Sequence, residues 1–559
     1  MLALHVQHVV PRITLPFFFL PLFSFCFTVE CARHYAMDDT SELLQAASDF
    51  AHCPGVQSED SARDFLDRFP LPLMINALET ESNVPGLENT LVACLERLFN
   101  TKFGASLIPQ YMPFVQVGLQ ADSQAVRSLA CKTITCLLEN LGNDYSVTAR
   151  LISDFNIYPL LLDCLINGNE QVATVAMDAI KNLAGFPEGM EIIFPSAKGG
   201  DTDLGIIASR CSSLGRVRVL ALVVKLFSVS RSAASTIYSL NLLKLLEAEI
   251  RNADDTLVTL SVLELLYELA EIEHGTEFLS KTTVLQLLSS IISNTSTESI
   301  LRSRAIMISG RLLSKEIIYS VIDEHCLKTV ISSIDGRLQS MEPLDKDECE
   351  TALESFGHIG SSIQGATLLL SGSSPAARHV IDAAFDRQGP QGHGRQLAAL
   401  HALGNISGET RSENKIILNS EAEENLRRLI YETASRSSKL TPSGLFLSVL
   451  QQDSEICIGG YRMISGLVAR PWCLMEICSK EEIINKVTDP STETKKIGME
   501  ARHNCCKAIH KSLTKSSRAS ADPAFAGIDS KLQEAIGIGP YLVKKHVEAQ
   551  PIVMTAERF

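Results

Sequence analysis

An all-α solenoid of armadillo/HEAT-like repeats is the fold class this sequence predicts, and three observations predict it. A short helical pattern recurs at a near-constant period, the apolar residues are of the helix-packing type, and turn signals separate the copies. The pattern is a small or apolar pivot followed by apolar residues at +4 and +7, which puts all three on one stripe of an α-helix. Successive pivots lie 39 to 47 residues apart, with one gap of 61 residues between Ala399 and Gly460. Periods of this size belong to units of two or three helices that bury their apolar faces only by stacking on neighbours. The expectation is about ten repeats wound into a right-handed, C-shaped superhelix.

Residues 1–36 precede the repeats and differ from them. Ile13 to Val29 is apolar around Phe17-Phe18-Phe19-Leu20 and resembles a signal-peptide core, but only Arg12 supplies a firm positive charge before it. Glu30 and Cys31 make a poor cleavage site, and 17 residues interrupted by Pro16 and Pro21 make a poor membrane span. We expect an upstream extension, with acidic helical sequence starting at Met37-Asp38-Asp39; a targeting segment is the competing reading.

Residues 37–513 carry the predicted solenoid. Amphipathic helices separated by Cys53-Pro54-Gly55 and Val84-Pro85-Gly86 lead into the first stripe, Leu91/Leu95/Leu98. The next four are Ala130/Ile134/Leu137, Ala176/Ile180/Leu183, Leu222/Leu226/Val229 and Val262/Leu266/Leu269. Weaker copies follow at Ala305/Ser309/Leu312, Ala352/Phe356/Ile359, Ala399/Leu403/Ile406, Gly460/Ile464/Leu467 and Ala501/Cys505/Ala508. A second apolar helix follows the pivot helix in each clean repeat, as at 157–166, 240–250 and 283–292. The run Asn252-Ala253-Asp254-Asp255 has the chemistry of a helix start. Ser371 to Gly394 is expected to be a loop, and the long gap leaves room for an irregular repeat. The Ser/Ala/Lys-rich stretch 514–530 is expected to be a flexible linker before a short tail, 531–559.

Composition narrows the function classes. An apolar content of 45% suffices for continuous burial, while a net charge of −15 disfavours nucleic acid, which requires a basic face. Fifteen cysteines without regular spacing, several at core positions of the repeats, indicate reduced intracellular thiols. The densest group, Cys473, Cys478, His503, Cys505, Cys506 and His510, lacks paired ligand spacing, so no metal site is expected. Gly357 to Gly365 carries no Gly-Lys-Ser/Thr and sits where a pivot helix should stop; Gly389, Gly392 and Gly394 share a loop with Pro390. No metalloprotease or nucleophile-elbow motif occurs. The chain is expected to be neither an enzyme nor a cofactor binder.

In armadillo folds the +6 position of each pivot helix lines the concave groove. Here that row reads Cys136, Asn182, Ser228, Glu268, His358 and Asn405, and the +2 row reads Lys132, Asp178, Val224, Glu264, Glu354, His401 and Arg462. Without a Trp row to pack lysine stems and with a broken Asn row, a groove for extended basic peptides is not expected. A mixed, acidic-leaning face for a folded partner is, with Glu264, Glu268, Glu354, His358, His401 and Asn405 as candidate contacts.

The C-terminal third carries a resemblance. Pro442-Ser443-Gly444-Leu445-Phe446, then Ala469-Arg470-Pro471-Trp472, then the tail Gly539-Pro540-Tyr541-Leu542-Val543-Lys544 resemble, in order and spacing, segments of the non-ATPase regulatory subunit 5 family of the 26S proteasome. That resemblance implies a chaperone of proteasome base assembly. It would hold the C-terminal domain of one AAA-ATPase base subunit on the concave face and be absent from the mature particle. It implies a cytoplasmic protein, with the nucleus open as a second location, monomeric when free and needing neither membrane nor nucleic acid. A generic armadillo scaffold with unrelated clients is the alternative.

Overall fold

The computed structural model describes residues 38–80, 84–140, 145–195, 202–252, 255–339, 345–386, 392–516 and 525–541, and every regular element among them is helical. The apolar N-terminal segment and residues 542–559 of the tail lie outside the described residues. The ten pivot helices are α1 Leu87–Phe99, α2 Gln124–Asn140, α3 Glu170–Leu183, α4 Ser213–Val229 and α5 Thr256–Glu271, then α6 Ser299–Leu313, α7 Lys346–Gly360, α8 His393–Ser407, α9 Ser454–Leu467 and α10 Lys496–Lys515. The chain divides into two compact units, 1–114 and 115–559.

In the first unit, α1 packs against the helix Asp38–His52 and buries Leu91, Leu95 and Leu98. The helix Glu59–Arg68 starts at Ser58, whose hydroxyl accepts from the Ser61 amide. Glu59 itself reaches the helix that follows α1, Lys102–Leu107, and accepts the first-turn amides of Lys102 and Phe103 at 3.0 and 2.6 Å. Those donors have no partner inside their own helix, so the carboxylate closes the end.

In the second unit, α2 to α10 form a ladder in which each pivot helix packs on the next. The sequence sets the starts of the rungs. Asn169, Ser212, Asp255, Asp345 and Asp453 each accept first-turn amides of α3, α4, α5, α7 and α9. Each such cap is worth about 1 kcal/mol. The stripes then face the core: apart from the half-buried Val229, the pivot, +4 and +7 residues of the first nine triplets are buried.

Two rungs approach closely enough to require glycine. A β-carbon on Gly310 of α6 would lie 2.7 Å from that of Ser355 of α7, and one on Gly357 of α7 would lie 2.9 Å from the Ala402 Cα of α8. Where α6 meets α7, Glu348 is fully buried. Arg302 donates to both of its oxygens (2.9 to 3.2 Å), and Arg337, from the helix Glu324–Gln339, adds a bond at 2.7 Å. Burial pushes this carboxyl up, but the two guanidinium groups outweigh it and hold it below its ordinary range.

The structure departs from the sequence reading in three places. The tenth stripe is displaced: Ala501 and Ala508 are half-buried, whereas Arg502, Cys505, Cys506, Ile509 and Leu513 are buried. The cause is that α10 is covered by α9 on one side and by a further helix, Ala526–Ile538, on the other. That helix takes up residues 526–530, assigned above to the linker. Within the expected loop 371–394, Ala377–Phe385 is a helix burying Ala377, Val380, Ile381 and Ala384, an i, i+3, i+4, i+7 set. Gly389 and Pro390 lie outside the described residues. The long gap between α8 and α9 holds an irregular segment, 408–419, and the helices Ser420–Arg436 and Pro442–Leu450.

Candidate docking surface

The +2 and +6 rows sit on the side of the ladder away from the buried stripes, with two exceptions: Cys136 and Val224 are buried and belong to the core. The other row residues are half-buried or exposed. Instead of standing free, many of them tie one rung to the next. Asn182 donates to Glu139 at 3.0 Å, Lys225 lies 3.6 Å from Glu268, and Arg304 pairs with Glu264. Arg311, which holds the +6 position of α6, pairs with Glu271. Asn405 donates to the Gly357 carbonyl at 3.2 Å, and Arg462 bridges His401 at 2.7 Å and Glu409 at 3.0 Å.

These ties revise the expected charge. Glu264 and Glu268 are already answered by Arg304 and Lys225, so this face is closer to balance than the row of acids suggests. Arg304 precedes its pivot by one residue and so falls in neither row, while Arg311 adds a cation at the +6 position of α6. An i−1 position beside a pivot still reaches the neighbouring rung when its side chain is long, a signal the sequence does contain.

Glu354, His358, His401 and Asn405 form the uneven part of the surface, along α7 and α8. Burial, reinforced by the Glu350 carboxylate, raises Glu354 above its ordinary range. Burial and nearby Arg311 lower His358, and burial with Arg462 lowers His401. Both imidazoles are therefore biased to the neutral form: His358 can offer one donor and one acceptor, whereas His401, whose Nδ1 accepts from Arg462, keeps only its Nε2–H to donate.

Two of the segments that carried the resemblance, around Arg470 and at Pro540-Tyr541, prove to be anchors. Arg470, 1% exposed, donates to both Glu423 oxygens (2.7 and 2.9 Å) and to the carbonyls of Ser407 and Gly466 (2.9 and 3.0 Å). Trp472 lies with its ring centre 5.8 Å from that of Tyr431, whose hydroxyl donates to Glu476. At the tail, buried Arg502 donates to the Val487 and Pro540 carbonyls at 2.7 and 3.3 Å, and Tyr541 bonds Glu500.

Among the described residues no three His, Cys, Asp or Glu side chains converge to hold a metal ion. The cysteine-rich group is instead core: burial raises the thiols of Cys473, Cys505 and Cys506, the last to about 11. No helix among the described residues is long and apolar enough to cross a membrane.

The sequence profile of the family described as proteasome non-ATPase 26S subunit matches residues 87–557. The 26S proteasome non-ATPase regulatory subunit 5 of Bos taurus is 20% identical over 457 residues, covering 81% of this chain and 85% of its own. The Homo sapiens protein of the same name is 21% identical over 460 residues, with the same coverage of each chain. Among solved structures, Kap121p aligns over 90% of this chain and 54% of its own, at 12% identity and a TM-score of 0.45.

Proposed function

Because the chain belongs to the proteasome non-ATPase 26S subunit family, we propose that it is an assembly chaperone for the base of the 26S regulatory particle. It takes the C-terminal domain of one AAA-ATPase subunit against the ladder, blocks that subunit from docking on the core particle, and leaves before the particle is complete. The family match over most of the ladder carries this reading. The physical chemistry agrees with it, because stacked rungs present an extended surface for a folded domain. Glu354, His358, His401 and Asn405 are the contacts we assign first, with Glu264 and Glu268 as flanking acids already balanced by their own cations. Such a protein works in the cytoplasm, and in the nucleus wherever bases are assembled there.

Native co-purification of the full chain, followed by binding to the isolated C-terminal domain of each proteasomal ATPase, tests the proposal. Association with one of them is expected, and binding to none would overturn it. Glu354→Lys should weaken the complex several-fold, mainly through association rate, with an effect that shrinks as salt is raised. A partner that binds this variant as tightly as the parent would move the contact surface off α7.

A further inference from the structure

In a simple solenoid each repeat touches only its neighbours, and residues 408–418 break that rule. The segment leaves α8 at Gly408 and runs along the edge of the ladder where pivot helices end. Arg411 donates to the Ser362 carbonyl just beyond α7 (3.2 Å) and to the Ile406 carbonyl in the last turn of α8 (2.7 Å). Lys415 reaches Glu316, just beyond α6, at 3.0 Å. Glu413 pairs with Lys511, and with Lys515 at 2.5 Å, in the last turns of α10. Arg470, which caps the end of α9, approaches the Ile416 carbonyl at 3.5 Å. One short strap therefore touches the ends of five successive pivot helices.

Its two kinds of attachment differ in strength. Arg411 and Arg470 hold its inner side through half-buried and buried guanidinium groups on backbone carbonyls, of which that of Ile406 lies in the last turn of α8, where a cation is favoured. The outer side, Glu413 and Lys415, is held among the described residues by ion pairs whose side chains are about half exposed. Exposed pairs contribute little and are screened by salt. The root of the strap also adjoins the candidate surface, since Glu409 and His401 share Arg462.

We propose that this strap is a detachable electrostatic clamp on the ladder edge: its outer half locks α6 and α10 to one another through Glu413 and Lys415, and a folded partner docking along α7 and α8 must release it. The second clause rests on the docking reading given above; the first does not. Locked, the clamp fixes the spacing of five rungs. Released, it lets that spacing change, so partner affinity carries the cost of opening the clamp.

Zero-length carbodiimide coupling of the full-length protein tests the clamp, since it condenses a carboxylate only with an amine in contact, the lost oxygen leaving in the urea by-product. At low salt, peptide mass spectrometry should find Glu316 joined to Lys415, and Glu413 joined to Lys511 or Lys515. Both products should fall at least several-fold at about 0.5 M salt, where screening lengths drop to a few ångströms. E413Q should abolish only the second. Absence of both products at low salt, or salt-independent yields, would overturn the clamp.

The gate is tested separately with the C-terminal domains of the proteasomal ATPases, each in turn, against the parent and an E413Q/K415A double variant. Release should raise affinity about three- to tenfold. Unchanged or weakened affinity would overturn the gate. If no domain binds the parent protein, the docking reading and the gate fail together, while the coupling products decide the clamp alone.

Discussion

Glu348 shows what one residue does in this molecule. It is buried and held by two arginines from different helices, so the three charges stand or fall as a group. Glu348→Ala would take the shared carboxylate from two guanidinium groups, at a cost of about 3–5 kcal/mol. Hydrogen exchange should show the loss in α6, α7 and the helix Glu324–Gln339. Exchange unchanged in all three would mean the triad contributes nothing. The histidines predict a pH effect of definite sign. Their native pKa values are lowered, so the unfolded chain binds more protons as pH falls through about 6.5, and stability around α7 and α8 drops. Glu354 is raised and acts oppositely: its penalty is present at neutral pH and disappears as pH falls towards the unfolded carboxylate value of about 4.3. Melting followed from pH 7.5 to 5.5 should therefore show a decline that His358→Gln with His401→Gln reduces, the buried His503, also lowered, carrying part of the rest.

The elements divide by how much of their logic is local. Stripes such as Ala176/Ile180/Leu183 were legible because a helix buried on one side repeats its apolar residues every three or four positions. Capping at Asp255 was legible for the same local reason. The α10 stripe was not, since a helix covered on two sides loses that one-sided pattern. The helix Ala377–Phe385 was hidden by its brevity and by flanking Gly, Ser and Pro, which are turn signals at any length. Of the candidate surface, sequence gave the row positions but not the pairing: no local rule says that Arg304 answers Glu264 in the preceding rung. The close approaches were likewise invisible. Gly357→Ala should force α7 and α8 apart and destabilise them by about 1–3 kcal/mol. A variant that keeps parental exchange rates in both helices would show that this contact yields without strain.

At the scale of the molecule, stability accumulates through interfaces between consecutive rungs. Damage should therefore stay near its source. Leu183→Asp buries a carboxylate without a partner, costing several kcal/mol. It should open amides chiefly between residues 130 and 230, while α7 to α9 keep their protection. Uniform loss across the second unit would indicate a single cooperative block instead. The chain segments that identify the family also act at this scale: Arg470 and Arg502 fasten the irregular segment and the tail to rungs that are already stacked.

The ties between rungs also set a timetable for synthesis. Arg302 meets Glu348 46 residues later in the chain, and Glu316 meets Lys415 after 99. At roughly 5–20 residues per second, each newly made rung waits on the order of a few seconds for its partner, and the strap closes later still. Where such a pair joins two rungs, the growing end is therefore an unfinished face carrying an unanswered charge. That charge keeps water on the face until the next rung arrives, so the feature that fastens the finished ladder also guards the nascent one against sticking to the wrong neighbour.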